Sequence, residues 1–199
     1  MDNSVEIPKA AVMSAANGVM FMTFFGALWA SIGVIGSHGL GAPWFLVFSG
    51  IVTLVLLFGS ITLFARAKKF TNSSTQEDSA HWKMVNRKFM LIFGLEGVAI
   101  AIASVICNVT NHFELFFPIM AIIVGVHFFP LARLFRVNSH HVTGAILCVL
   151  GIITFFLPMG ATVAGVSIIL TSVFIGFASA LTLWANGLSI WITTLKKIR

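Results

Sequence analysis

The chain has 199 residues, 58% of them hydrophobic and 9% charged, with a mean hydropathy of +1.02. An average soluble domain carries roughly 25% charged residues, so a water-soluble globule is excluded and the lipid bilayer is the expected partner. The formal net charge of +6 comes from basic clusters set between apolar runs; without a basic stripe interleaved with polar surface, no nucleic-acid partner is expected.

A backbone in hydrocarbon must satisfy its own hydrogen bonds, which leaves helices or closed barrels. The long uncharged runs select helices. The first, Ala10 through Ser37, is longer than a signal-peptide core and follows Asp2 and Glu6 rather than a basic segment, so no cleavable leader is expected. Gly39, Gly41 and Pro43 then turn the chain into a second run, Trp44 to Ala65, which Arg66, Lys68 and Lys69 stop. Residues 66–88 form the one long polar stretch. Ser74, Thr75, Gln76 and Glu77 in it have the form of a capping box, so a helix is expected to restart near residue 75 and run into the third span.

The full expectation is an all-α membrane bundle, one domain of six transmembrane helices at about 10–37, 44–65, 89–107, 113–135, 142–157 and 163–192. The last apolar stretch, 161–195, is too long for one crossing and too short for two with a turn. It is read as one tilted helix that overshoots the interface, with a seventh span as the alternative. Six spans put all twelve lysines and arginines on one side, so that side, with both termini and the 66–88 loop, is expected in the cytoplasm. Trp44 and Trp191 read as anchors at the outer and inner interfaces. Cys107 and Cys148 lie at heights differing by roughly 16 Å, too far apart for a disulfide.

Small residues suggest packing faces: Ser14, Gly18, Gly26 and Ala30 in span one, Gly97 and Ala101 in span three, Gly176 and Ala180 in span six. Polar residues at membrane depth are the candidates for function. Glu96, His127, Asn17 and Asn186 come from four different helices, each roughly 12–15 Å in from the nearest basic cluster. Arg133 stands one to two turns beyond His127. Polar groups at that depth turn inward and pair, and two readings follow. Glu96 clasps His127 or Arg133 to fix helix register, or the layer lines a vestibule that binds a small solute or relays protons.

No cofactor is expected. His127 and His141 have a spacing that would suit stacked haems only in an unbroken helix, and Pro130 and Asn138 interrupt it. His81, His140 and His141 read as solvated loop residues rather than a metal site. No nucleophile, base and orienting acid assemble from so few polar groups, so an enzyme is not expected.

The segment Gly125 to Phe135 (GVHFFPLARLF) is the most distinctive in the chain. It resembles the fourth-helix segment of a family of small, uncharacterised bacterial membrane proteins with about six spans and a G-x-H-F-x-P-L-A pattern. The resemblance implies a bacterial inner-membrane protein and carries no activity with it. Within the segment Pro130 removes the hydrogen bond to the Val126 carbonyl, a local cause for a kink beside His127.

Overall fold

In a computed structural model that describes residues 9–70 and 76–198, the uncharged runs become helices because each satisfies its backbone internally. Among the described residues these are α1 (Lys9–Gly36), α2 (Ala42–Ala67), α3 (Gln76–Val109), α4 (Phe116–Phe135), α5 (Asn138–Thr154) and α6 (Leu170–Lys197). A 3-10 turn, Phe113–Leu115, leads into α4. Five of these segments are long and apolar enough to cross a membrane, and α5, with 17 residues, is a shorter apolar helix. The chain is thus a multi-pass, all-α membrane bundle. The capping-box residues Ser74 and Thr75 lie outside the described residues, and α3 begins at Gln76.

The stretch 161–195 departs from expectation. It is neither one helix nor two spans: Ala161–Val163 (β1) and Val166–Ile168 (β2) pair as an antiparallel hairpin before α6 starts at Leu170. Thr162, Val163, Val166 and Ile168 are β-branched and suit strands. Ala164 and Gly165 both take positive φ, 50° and 79°, as a two-residue hairpin turn requires. The hairpin docks on the end of α1, where the Ile169 amide donates to the Gly36 carbonyl at 2.8 Å and Nδ1–H of His38 donates to the Ser167 carbonyl at 2.7 Å.

The bundle is organised around α1 and α6, which pack on each other more extensively than any other pair; α2 flanks α1, α5 flanks α6, and α4 packs on α5. Without water to drive helix association, close backbone approach decides which helices meet. The α1–α6 seam supplies it: Gly26 faces the Trp184 indole, Gly33 faces Phe177, and Gly176 lies on the backbone of Gly33 and Trp29. Gly26 and Ala30 of α1 and Gly176 and Ala180 of α6 therefore lie in a seam, while Ser14 and Gly18 border the open space beside α1. Gly97 and Ala101 of α3 lie in no seam: a Cβ added at Gly97 meets nothing within 4 Å, and both residues are exposed. The α4–α5 seam uses glycines the sequence reading passed over. A Cβ at Gly125 would stand 2.8 Å from the Gly144 carbonyl oxygen, and one at Gly151 2.7 Å from that of Pro118.

Trp44, in the first turn of α2, is 78% exposed. Trp191 is instead packed against Gly59 of α2, which has no side chain to keep it away. Cys107 and Cys148 are both free thiols.

Helix α3 is the outlier. It packs on α4, and buries Val85 near one end and Ala103 and Cys107 near the other, but no residue from 86 to 102 is buried. Along that middle stretch it reaches α1 through aromatic rings: Phe21 lies 5.8 Å from Phe89 and 5.9 Å from Phe93, and Phe25 6.2 Å from Phe93, centroid to centroid.

Candidate functional site

The gap between α3 and the rest of the bundle is a cavity of about 2000 Å3, walled by α1, α3 and α4 and backed by α6. Its lining follows α1 from Ala10 to Ile32, roughly 33 Å of helix at 1.5 Å per residue. At one end it is bordered by Lys88, Arg133, Arg136 and Lys197. The start of α1, the ends of α4 and α6 and the lower part of α3 meet there, which makes it the basic end of the bundle. Deeper walls are mostly phenylalanine and aliphatic side chains, including Phe21, Phe93 and Val124.

Glu96 and His127 border this cavity from facing helices. Nδ1 of His127 stands 3.1 Å from Oε1 of Glu96, and their side chains are 14% and 9% exposed. The separation is that of an ion pair, but Nδ1 makes no hydrogen bond among the described residues. α4 runs unbroken through Pro130 and holds His127 on the face toward α3. The sequence left two partners open for Glu96; the structure selects His127. Arg133 lies further toward the mouth, exposed and bordering the cavity. A carboxyl and an imidazole this close can exchange a proton once the ring turns its N–H onto the carboxyl oxygen, the elementary requirement of a relay.

The other candidates separate. Asn17 is exposed and borders the cavity. Asn186 is 4% exposed and sits outside the cavity lining, in a polar knot of its own. The Ser139 hydroxyl donates to its Oδ1 at 2.7 Å, and its Nδ2–H donates to Nδ1 of His140 at 3.0 Å. Asn186 Nδ2 also lies 3.7 Å from the Met22 sulfur. Asn186 therefore clasps α5 to α6 and touches α1, while Glu96, His127, Asn17 and Arg133 share the cavity.

His140 overturns its reading as a solvated loop residue. It lies in the first turn of α5, 6% exposed, with Phe128 edge-on at 5.5 Å. Ser139 and His140 were detectable only through Asn186: a buried amide needs partners at its own height, and these are the polar residues α5 offers there. No group of three or more metal-binding side chains occurs among the described residues.

Comparison of the chain with protein families, with curated proteins and with solved structures found no match.

Proposed function

We propose that this membrane protein binds a small solute in the cavity between α1, α3 and α4 and moves it, or protons with it, past the Glu96–His127 pair. One observation carries the reading. The pair borders an open space of about 2000 Å3 that reaches the basic end, rather than being sealed among side chains. A purely structural clasp has no use for that space, and the bundle already holds such a clasp in the Asn186–His140–Ser139 knot, whose Asn186 and His140 are buried. The competing class, a non-transporting structural or partner-binding subunit, is favoured by no comparable feature.

The same reading puts the basic end in the cytoplasm, with both termini, so that the cavity faces the cytoplasm. The one-sided basic residues support it through the positive-inside rule. Residence in a bacterial inner membrane rests on the resemblance of the Gly125–Phe135 segment. Reporter domains fused after Lys69 and after Arg199 are expected to report cytoplasm, and one at Gly41 the opposite side. A C-terminal reporter on the far side would overturn this orientation.

The function itself is tested at Glu96. Glu96→Gln keeps size and most hydrogen-bonding capacity but removes the ionisable group. In proteoliposomes, wild-type protein is expected to pass protons or a solute from a broad panel, and Glu96→Gln to abolish that flux while melting within a few degrees of wild type. Absence of wild-type flux together with a strongly destabilised Gln variant would leave Glu96 as scaffold.

A further inference from the structure

We propose that the occupant of this cavity is a lipid with an anionic head, drawn sideways from the surrounding bilayer between α1 and α3; this rests on the solute-binding reading and names its substrate class. Four observations converge. First, about 2000 Å3 exceeds the roughly 300–1,000 Å3 of ordinary small-molecule pockets, and the space is elongated along the helices, as an acyl chain is. Second, its deep walls are phenylalanine and aliphatic, which match a tail and repel a hydrated solute.

Third, Lys88, Arg133, Arg136 and Lys197 border its mouth, from α3, α4, the turn after α4 and α6. Glu96, well below them, is the one carboxylate in the lining among the described residues. A basic pocket between transmembrane helices at the membrane surface suits an anionic head group. Any soluble anion would share that attraction; the apolar depth is what commits the site to a lipid.

Fourth, the wall between cavity and bilayer is thin at one place. No residue from 86 to 102 of α3 is fully buried, and there α1 and α3 are joined by the rings of Phe21, Phe25, Phe89 and Phe93. Aromatic rings rotate without breaking hydrogen bonds, so this seam parts at less cost than a glycine-packed one. A tail passing there never leaves hydrocarbon, and its head travels along the interface to the basic mouth. The Glu96–His127 pair then lies beside the upper part of the lipid.

The test uses the full chain, stripped of lipid in detergent and incubated with phosphatidylglycerol or phosphatidylcholine of matched chains. Native mass spectrometry counts the lipids retained. Wild type is expected to hold one phosphatidylglycerol per chain, at least about tenfold more strongly than phosphatidylcholine, because the basic mouth recognises its charge. The double variant Lys88→Gln/Arg133→Gln changes two exposed side chains and should erase the preference. Gly97→Leu should weaken retention of both lipids: Gly97 borders the cavity and has free space beside it, so the leucine intrudes on the acyl chain's path without displacing a neighbour. Equal retention of the two lipids by wild type, or retention untouched by Gly97→Leu, would mean adhesion to the outer surface and overturn the proposal. Octyl phosphate, added separately and read as thermal stabilisation, distinguishes the two levels of inference. Stabilisation that Gly97→Leu reduces, with no phosphatidylglycerol retained, leaves the solute-binding reading standing and the lipid assignment overturned. If neither ligand binds, both fall.

Discussion

Gly176→Leu is expected to leave little folded protein. A Cβ at this position would run into the amide nitrogen of Gly33 and lie 2.7 Å from its Cα and 2.8 Å from the Trp29 carbonyl oxygen. All three are backbone atoms, so no rotamer change relieves the clash; α1 and α6 must separate along the seam that organises the bundle. Overpacking a well-filled core usually costs about 1–3 kcal/mol, and two helices held apart should reach or pass the upper figure. The measurement is the yield of monodisperse protein in detergent together with its melting temperature. Gly94→Leu on α3, where an added Cβ meets nothing within 4 Å, is the matched control and should behave as wild type. A Gly176→Leu variant that melts with the control would mean that the α1–α6 approach is not what holds the bundle.

The second large effect is expected at Asn186. Asn186→Leu removes the acceptor of the Ser139 hydroxyl and the donor to His140 at a site 4% exposed. A buried polar group left unsatisfied costs about 1–3 kcal/mol; His140 is orphaned while buried and Ser139 while half-buried, so a loss of about 2 kcal/mol is expected in a detergent-unfolding titration. Replacing both partners of a buried hydrogen bond by apolar groups is far milder than removing one. The double variant Asn186→Leu/His140→Phe should therefore recover a substantial part of the loss, which a double-mutant cycle reads directly. A single-variant cost below about 0.5 kcal/mol would show that water or a shifted side chain replaces the lost contacts.

The spans were legible because each is an uncharged run ended by charge, glycine or proline, a signal that survives without knowledge of neighbours. The hairpin at 161–168 was not. Its residues are as apolar as a helix, and a short run is assigned by length alone when periodicity is absent; the positive φ of Ala164, a residue that rarely adopts it, is invisible in the sequence. Gly97 and Ala101 show the converse failure. Their spacing suits a packing face, but which helix lies opposite is a property of the whole bundle. Depth could be read along each helix, so the heights of Glu96, His127 and Asn186 were accessible. Rotation about the helix axis could not, and that angle sends Glu96 and His127 to the cavity and Asn186 to its own knot.

The pairing of α1 with α6 also sets a timetable. Met22 and Asn186, in contact across that seam, are separated by 164 positions in the chain. During synthesis α1 enters the bilayer first and its principal partner last of the six helices, so the glycine face of α1 stays against lipid while everything between is made. Contacts of such long sequence separation close slowly and late. A chain cut short before α6 keeps α1, α2 and the α4–α5 pair but lacks the piece that joins them, and it displays an unsatisfied small-residue seam to the membrane. The bundle can therefore close only after translation has passed Leu170.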